Sequence, residues 1–331
     1  MYRQVTYSPA YTVVPTYECF NRCSYCNFRV DTGTDSWLSI AEAKSIFKEL
    51  LLEGVVEILI LSGEVHPDSP RRKDWFQRIW ELGELALSLG FLPHTNVGPL
   101  SWSEMKRLKE VNVSMGLMLE QLTPQLLKTV HKHAPSKRAG IRLQQLEWAG
   151  KLQIPFTTGL LLGIGETKQD RIESLKAIAE IQTRWGHIQE VILQPHSIGS
   201  QQTYKNEDFF LEELPALITD AKNILPDDIT IQIPPNLIET PELLLACIEA
   251  GARDLGGISP KDEVNPDYPH LTAESLKAIL EPMGWQLIPR LPVYPQYYDW
   301  LSSEIQKNIK AKENDLRNTE PASKAFKVRE K

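Results

Sequence analysis

Short apolar runs alternate with longer amphipathic stretches along most of the chain. Strands that are buried on both faces are nearly continuous in apolar residues, whereas surface helices repeat them at three- and four-residue steps. This alternation predicts a series of βα units, and eight of them can be counted. The predicted strands cover residues 12–18, 56–61, 91–96, 112–119, 155–162, 188–193, 229–233 and 252–258.

The helical stretches carry their own boundary signals. Ser39 is followed three residues later by Glu42, which is a capping-box spacing, and Gly54 is a candidate C-terminal cap for the same helix. Another helix is predicted at residues 272–283, after the eighth strand. Eight strand-helix units favour a (β/α)8 TIM-type barrel over an open doubly wound sheet, although the pattern alone does not show whether the sheet closes.

The domain organisation follows from length and from a change in composition. A (β/α) barrel commonly occupies a chain of this size, 331 residues, as a single domain. We therefore predict one barrel domain over residues 1–300. From about Ser302 onward Lys, Glu, Asn and Gln replace the large apolar residues. Residues 301–331 are predicted to form a charged tail that is partly disordered after a short helix.

Composition and charge exclude several classes of protein. Apolar residues make up 42% and charged residues 24% of the chain, as in ordinary globular proteins. A formal net charge of -7 argues against binding to nucleic-acid phosphates. No apolar run is long enough to span a bilayer, and the first residues do not resemble a signal peptide. We predict a cytoplasmic protein that binds neither nucleic acid nor membrane.

Three of the four cysteines form a Cys-x3-Cys-x2-Cys cluster: Cys19, Cys23 and Cys26, in the segment TYECFNRCSYCNF. Three thiolates can hold three irons of a 4Fe-4S cluster and leave the fourth iron open to another ligand. A structural zinc site is the main alternative, but it usually has four ligands in paired short spacings. The fourth cysteine, Cys247, lies in an apolar helical stretch and is interpreted as a buried small hydrophobe.

Further motifs follow other predicted strands, at the end of a barrel where active sites lie. Ser62-Gly63-Glu64 follows the second strand, and Glu120 ends the fourth. Gly163 and Gly165 flank Ile164 after the fifth strand, where main-chain atoms could approach a flat ligand. Each motif also has a purely structural interpretation: a turn, a solvated strand end, or a Gly-rich loop before a helix that starts near Thr167.

Taken together, the cysteine spacing, Tyr25 before the last cysteine, and Ser62-Gly63-Glu64 resemble the radical S-adenosylmethionine (SAM) superfamily. The triplet is similar to that family's Gly-Gly-Glu motif, with Ser62 in place of the first Gly. The resemblance implies that the open iron binds SAM, and that the reduced cluster cleaves SAM to methionine and a 5'-deoxyadenosyl radical. It also implies a set of SAM contacts: Tyr25, Ser62, Gly63, Glu64, Glu120, Arg142, Gly163, Ile164 and Gly165.

The roles within that set also come from the resemblance. Ser62 to Glu64 would face the SAM amino group, and Glu120 its ribose or amino end. Arg142 would pair with the SAM carboxylate, a task suited to a planar guanidinium, and Gly163 to Gly165 would lie along the adenine. An ordinary surface arginine is the alternative for Arg142.

Longer strings resemble a narrower family, the small subunits of 7,8-didemethyl-8-hydroxy-5-deazariboflavin (FO) synthase. They extend to about Tyr298 and include HTNVGPLS, SMGLMLEQL, HKHAPSKRAGIRL, IPFTTGLLLGIGET, QPH, IPPNL and DLGGISPKDEVNP. The resemblance implies a lyase in coenzyme F420 biosynthesis. Its substrate would be the tyrosine-derived 5-amino-5-(4-hydroxybenzyl)-6-(D-ribitylimino)-5,6-dihydrouracil adduct, converted to FO with release of ammonia. A partner radical SAM subunit would supply the adduct, and flavodoxin or ferredoxin the electron.

Polar residues near the strand ends are candidates for the substrate site, because they offer donors and acceptors for a uracil edge and ribityl hydroxyls. Two histidines in HKHAPS are candidates for proton transfer. Turn, cap or surface roles remain open for all of them. Two other functions also remain open: a different radical SAM reaction, such as that of the partner subunit or of a biotin synthase, and a non-catalytic metal-bearing scaffold. The candidates are His94, Thr95, Asn96, Asn236 and Asn265 for substrate, and His131 and His133 for protons.

Overall fold

A computed structural model describes residues 3–206, 208–260, 262–268 and 271–318. Nine strands form one sheet in which all pairings are parallel. The strands are β1 (Arg3–Val13), β2 (Glu57–Leu61), β3 (Leu92–Asn96), β4 (Ser114–Gly116), β5 (Phe156–Leu162), β6 (Ile188–Pro195), β7 (Thr230–Gln232), β8 (Asp254–Ile258) and β9 (Trp285–Pro289).

The first eight strands close into a barrel. They follow one another in the order β2 to β8, then β1, and β1 pairs again with β2 through Ala10–Val13. Closure removes the free sheet edges that an open sheet would leave. The predicted (β/α)8 TIM-type fold is therefore confirmed.

Helices cover the outside of the barrel. Ser39 and Glu42 form both hydrogen bonds of the predicted capping box, and Thr167 caps the helix after β5 in the same way with Asp170. The α-helices are α1 (Ile40–Leu50), α2 (Arg72–Ser88), α3 (Trp102–Leu108), α4 (Ala139–Lys151), α5 (Lys168–Trp185), α6 (Leu214–Ile224), α7 (Pro241–Ala250), α8 (Ala273–Leu280) and α9 (Ser303–Asn318). Among the described residues, none of the helices could cross a lipid bilayer.

The first strand lies earlier in the chain than predicted, at Arg3–Val13 and not at residues 12–18. Pro9 in the middle of the segment disfavours a strand, because proline cannot donate to the ladder. In the barrel one edge of β1 has two neighbours in succession: Arg3–Tyr7 pair with β9, and Ala10–Val13 pair with β2. Pro9 lies where one neighbour replaces the other, so the missing N–H interrupts neither ladder.

Two elements near the C-terminus pack against the barrel. Strand β9 was not predicted from the sequence, and it pairs with the first half of β1. In α9 the side chains of Ile305 and Ile309 are buried in a cluster that includes Leu92 and Val113 of the barrel wall. Asn308 also donates to the carbonyl of Leu87 (2.8 Å). The remainder of the predicted tail, residues 319–331, lies outside the described residues.

The core lies between the barrel wall and the helices, and the lumen is hollow. Apolar strand side chains such as Ile58 and Ile60 point outward and are completely buried beneath the helices. Inward-facing positions line a central cavity of about 230 Å³, and they carry apolar side chains such as Leu59 together with the polar and charged side chains of Glu57, His94 and Glu190. Most (β/α)8 barrels fill this space with branched apolar side chains, so a hollow lumen with charged groups among apolar ones indicates a ligand site.

Candidate functional site

The cysteine loop, Cys19–Cys26, follows β1 and lies against the loops after β2 and β4. Its backbone is fixed by hydrogen bonds to these neighbours, so the positions of the thiols are set by the barrel. Phe20, Arg22 and Ser24 donate through their N–H groups to the carbonyls of Glu64, His133 and Val130, at 3.0, 2.7 and 3.1 Å. The loop is further held from the β6 side, where Thr203 and Tyr204 both donate to the carbonyl of Ser24.

The thiols suit a polynuclear cluster. Burial raises the pKa of Cys19 to about 11, and that of Cys23 to about 12 against a smaller opposing effect of Lys137. Such thiols become thiolates when a metal supplies positive charge. Among the described residues, no three His, Cys, Asp or Glu side chains converge on a single metal ion. In a 4Fe-4S cube each thiolate binds its own iron, so convergence is not required and the three-thiol donor set fits.

Gly63 allows the chain after β2 to pass directly beneath the cysteine loop. A Cβ at this position would lie 2.1 Å from the carbonyl oxygen of Glu18, and its N–H donates to the carbonyl of Thr16 (2.9 Å). The neighbouring Ser62 is used internally: its hydroxyl donates to the Gly63 carbonyl (2.8 Å) and accepts from Trp75 Nε1 (3.0 Å). Ser62 therefore stabilises the turn, and Glu64 is the member of the triplet whose side chain reaches the neighbouring loops.

Two acids and two bases meet beside the cysteine loop, and we call Glu64, Glu120, Lys137 and Arg142 the charge quartet. Arg142 Nη2 lies 3.6 Å from Glu64 Oε1, and its Nη1 lies 3.8 Å from Glu120 Oε1. Lys137 forms an ion pair with Glu120, and Arg142 also donates to the carbonyl of Met118. The Arg142 side chain is only 2% exposed. A surface role for this arginine, the alternative left open by the sequence, is therefore wrong.

The charge quartet can bind an amino acid head group, which carries one ammonium and one carboxylate. Burial acts to raise the pKa of Glu120, but the charges of Lys137 and Arg142 outweigh it and lower the pKa. Glu120 is thus held ionised, as an ammonium ligand requires. Its backbone is left-handed (φ 65°), which is uncommon for a residue other than glycine and occurs often at functional sites.

Asn21 and Lys137 belong to the site but were not predicted from the sequence. Asn21 donates to Glu64 Oε2 (2.9 Å) and accepts from the N–H of Ser136 (3.2 Å), so it joins the cysteine loop to both sides of the quartet. Lys137 is the residue directly after Ser136, so the bond from Ser136 to Asn21 also fixes the backbone next to Lys137. In the sequence, the only signals for these two residues are that Asn21 lies between the first two cysteines and that Lys137 lies five residues before Arg142.

In the glycine turn after β5, two backbone N–H groups already have hydrogen-bond partners within the protein. Gly163 and Gly165 have positive φ angles of 87° and 104°, but the N–H groups of Gly163 and Ile164 donate to the Glu166 carboxylate (2.8 and 2.9 Å). Arg171 Nε pairs with the same carboxylate (2.8 Å). The Ile164 side chain is completely buried. These two N–H groups are not free for a ligand, so only carbonyls and Cα atoms of the turn could face an adenine, which stays a prediction.

Tyr25 and the two histidines lie behind the cysteine loop. Tyr25 Oη is 2.9 Å from His131 Nε2, and the rings meet edge to face. His131 is buried, and this burial, followed by the charge of Lys137, lowers its pKa to about 4. The His133 side chain is exposed, and it is the carbonyl of His133 that holds the loop. Neither histidine lines the cavity, so their proposed proton transfer finds no support in this geometry.

Four of the five predicted substrate residues line the central cavity. Asn236 and Asn265 meet at its rim, where both side chains donate to Asp262 Oδ2 (2.8 and 3.3 Å). His94 and Asn96 line the wall from β3. Asp262 was not predicted, although it lies three residues before Asn265 in the same string, SPKDEVNP.

Thr95 does not line the cavity. It lies between His94 and Asn96 on β3, so its side chain points to the opposite face of the strand, where its hydroxyl donates to Asn112 Oδ1 (2.7 Å). Its predicted substrate contact is therefore wrong, and its role is to fix β3 against the segment before β4. Cys247 is fully buried in α7, as predicted.

Comparisons with known proteins identify the family of this chain. Residues 13–178 match the model of the radical SAM superfamily. The 7,8-didemethyl-8-hydroxy-5-deazariboflavin synthase of Trichormus variabilis is 68% identical over 305 residues, which cover 92% of this chain and 90% of that protein. The synthase of the same name from Trichodesmium erythraeum is 63% identical over 309 residues, covering 93% and 97%.

Solved structures share the fold at low sequence identity. The FeFe-hydrogenase maturase HydG from Carboxydothermus hydrogenoformans has a TM-score of 0.70 at 18% identity, with 95% of this chain and 77% of that chain covered. Methylornithine synthase (PylB) has a TM-score of 0.66 at 17% identity, with coverage of 93% and 86%. The family match and the high-identity relatives show that the chain belongs to the radical SAM superfamily and, within it, to the 7,8-didemethyl-8-hydroxy-5-deazariboflavin synthases.

Proposed function

We propose that this chain is a radical SAM lyase that forms FO from the tyrosine-derived 5-amino-5-(4-hydroxybenzyl)-6-(D-ribitylimino)-5,6-dihydrouracil adduct, with release of ammonia, in deazaflavin and coenzyme F420 biosynthesis. The observation that carries the proposal is 68% identity to a named synthase over 92% of the chain. The site supports it independently, because the three thiols and the charge quartet lie at the rim of a barrel whose lumen holds a cavity lined in part by carboxyl, amide and imidazole groups.

The residues of the chain have separate tasks in this reaction. The 4Fe-4S cluster and SAM, when bound, supply a carbon radical able to remove a hydrogen atom from the substrate. Cys19, Cys23 and Cys26 would hold the cluster. In the quartet, Glu64 and Glu120 would face the SAM ammonium, and Arg142 and Lys137 its carboxylate. With substrate bound, the surrounding barrel wall would limit access of water, which protects a reactive carbon centre from side reactions.

We further propose that a partner radical SAM subunit supplies the adduct, and that flavodoxin or ferredoxin supplies the electron. A cytoplasmic location is part of the same proposal, since the four cysteines are free thiols and the implied cluster suits a reducing compartment. The catalytic unit would be residues 1–300, and residues 301–331 an appended segment of which α9 packs on the barrel.

The function is tested with four matched substitutions. Replacing Cys19, Cys23 or Cys26 with Ala should abolish reductant-dependent formation of 5'-deoxyadenosine from SAM after anaerobic reconstitution. The same change at Cys247, which is buried in α7 away from the site, should leave it largely intact. With SAM and the adduct, the unmodified enzyme should form fluorescent FO, measured by chromatography.

Two results would contradict the proposal. Undiminished 5'-deoxyadenosine formation by a variant of the cysteine cluster would exclude a cluster held by these thiols. Cleavage of SAM by the unmodified enzyme without FO would indicate a different radical SAM reaction, such as that of the partner subunit.

A further inference from the structure

The deep end of the cavity is formed by the first residues of the strands. Glu57 begins β2, Glu190 is the third residue of β6, and Arg290 follows β9 directly. From Glu57 to Leu61 at the rim, β2 rises roughly 13 Å at about 3.3 Å per residue. The cysteine loop and the charge quartet lie at the rim. A substrate that reacts there would extend its remote, non-reacting end toward this floor.

The cation at the floor is already paired. Arg290 forms two hydrogen bonds with Asp254 (2.6 and 2.8 Å), and its Nη2 also contacts the carboxyl of Glu190. Thr157 and Tyr294 donate to the same Glu190 carboxyl (3.0 and 3.1 Å). With Arg290 saturated in this way, what the floor offers a ligand is the carboxyl of Glu57, part of that of Glu190, and the ring of His94.

Hydrogen bonding fixes which nitrogen of His94 carries the proton. The Ser114 hydroxyl lies 2.6 Å from the carbonyl oxygen of Pro292, which can only accept, so the single hydroxyl proton must point there. Ser114 Oγ is then an acceptor for His94 Nδ1, at 2.7 Å. Burial, and then the charge of Arg290, lower the pKa of His94 to about 3, so the ring is neutral. His94 Nε2 therefore has a free lone pair.

No side chain occupies Nε2. A Cβ on Gly116 would lie 2.8 Å from this nitrogen, so a glycine at this position is what allows the ring its place. Among the described residues no hydrogen bond to Nε2 is formed, and the ring itself lines the cavity. An acceptor held in one tautomer, in a cavity that two carboxyls also line, is suited to a ligand that presents several donors.

Hydroxyl groups match this floor best. A hydroxyl both donates and accepts, so it can bond with a carboxyl in either protonation state and can donate to His94 Nε2. A uracil edge presents one N–H donor between two carbonyl acceptors, and those carbonyls would face the acceptors of Glu57 and His94 unfavourably. A phenol brings a single hydroxyl. A chain of several hydroxyls can satisfy groups contributed by β2, β3 and β6 at once.

We propose that Glu57, His94 and Glu190 form a polyol subsite that binds the ribityl chain of the substrate at the floor of the barrel. This inference rests on the proposed function. The subsite orients the adduct, with its hydroxylated end inward and its benzyl and amino groups at the rim beside the charge quartet. Ser114 and Pro292 are positioning residues, because they act by holding the His94 ring in its acceptor tautomer.

The subsite is tested by comparing two substrates. One is the ribityl adduct, and the other is the same adduct with a methyl group in place of the ribityl chain. Glu57→Gln and His94→Phe should each weaken binding of the ribityl adduct by roughly tenfold, the equivalent of one charge-assisted or well-formed hydrogen bond, as measured by KM and by calorimetry. Both should change binding of the methyl adduct less than about twofold. Glu212→Gln, an exposed control, should change neither.

The outcomes separate this inference from the proposed function. Equal weakening for both adducts, or no weakening for either, would overturn the polyol subsite, while FO formation by the unmodified enzyme would leave the function standing. If the unmodified enzyme cleaves SAM but makes no FO from the ribityl adduct, the function itself fails.

A second measurement does not depend on activity. Nitrogen-15 NMR of histidine-labelled protein, with His94→Phe used for assignment, should show Nδ1 protonated and Nε2 bare between pH 5.5 and 8. Ser114→Ala should mix the two tautomers. A protonated Nε2 in the unmodified protein would refute the acceptor role.

Discussion

At the scale of single residues, Gly63 is the position where the smallest change should have the largest effect on the site. Gly63→Ala would place a Cβ 2.1 Å from the backbone carbonyl of Glu18, and backbone cannot move aside as a flexible side chain can. We expect a loss of about 1–3 kcal/mol of unfolding free energy, as for overpacked positions. Because the displaced segment leads into Cys19, iron bound after reconstitution should also fall. Urea denaturation and iron analysis measure the two effects.

Gly140→Ala is the matched control, since a Cβ there meets no atom within 4 Å and the residue lies in the first turn of α4. This variant should be neutral, or more stable by up to about 1 kcal/mol, because alanine favours helix. If both variants behave alike, the close approach of Gly63 to Glu18 is not a constraint on the site.

The three cysteines were predicted from their spacing, and Glu64 and Arg142 from the resemblance to a family. Glu64 and Arg142 meet in the charge quartet, whereas the cluster-binding role of the cysteines stays a prediction. Lys137 was not predicted because its role arises from an ion pair with Glu120, 17 residues earlier in the chain. Glu166 was not predicted because its bonds to the N–H groups of Gly163 and Ile164 form only in the folded turn. Side chains alternate along a strand, so His94 and Asn96 inside require Thr95 outside.

At the scale of elements, strands flanked by clear turns were predicted within a few residues, and those that depend on neighbours were not. Strand β5 was predicted at residues 155–162 and is found at Phe156–Leu162. Strand β9 follows a 3-10 turn and is only five residues long, and only its pairing with β1 defines it as a strand. The beginning of β1 is likewise defined by β9, so neither strand could be recognised without the other.

Helix α9 has a charged and polar composition, yet its buried side chains should contribute substantially to the stability of the barrel. Ile309 is 1% exposed, in a cluster with Val56 and Leu92 of the barrel. Ile309→Ala should lower the free energy of unfolding by about 2–5 kcal/mol, as for buried large-to-small substitutions. Leu52→Ala, at a side chain that is 95% exposed, should change it by less than about 0.5 kcal/mol. Comparable, small losses in urea denaturation of both variants would mean that α9 does not stabilise the barrel.

At the scale of the whole molecule, the hollow lumen provides a ligand site but lowers the free energy of unfolding. The floor network joins four strands: Glu57 of β2, Glu190 of β6, Asp254 of β8 and Arg290 after β9. Three buried carboxyls share one guanidinium, and desolvation of such groups costs free energy that ion pairing only partly offsets. Because the groups come from distant parts of the chain, neither the network nor its protonation could be read from sequence, although each residue is polar at a strand position.

This network gives the folded protein a specific pH dependence. Asp254 holds Arg290 with two hydrogen bonds, so Glu190 is the carboxyl that retains its proton: burial raises its pKa from 4.5 to about 7, against the opposing charge of Arg290. A carboxyl whose pKa is raised on folding stabilises the fold below its unfolded pKa, and this contribution is lost as the pH rises through the folded value. Relative to Glu190→Gln, the unmodified protein should therefore lose stability between about pH 4.5 and 7.

The expected loss is on the order of 3 kcal/mol, since each pKa unit corresponds to about 1.4 kcal/mol. Urea denaturation of both proteins at pH 4.5, 5.5, 6.5, 7.5 and 8.5 measures it, and the difference in unfolding free energy should fall steadily and then level off above pH 7.5. Glu212→Gln, whose carboxyl is exposed, should give no such slope. A difference that grows with pH would mean that Glu190 is ionised in the fold and that the second ion pair of Arg290, not a retained proton, governs the floor.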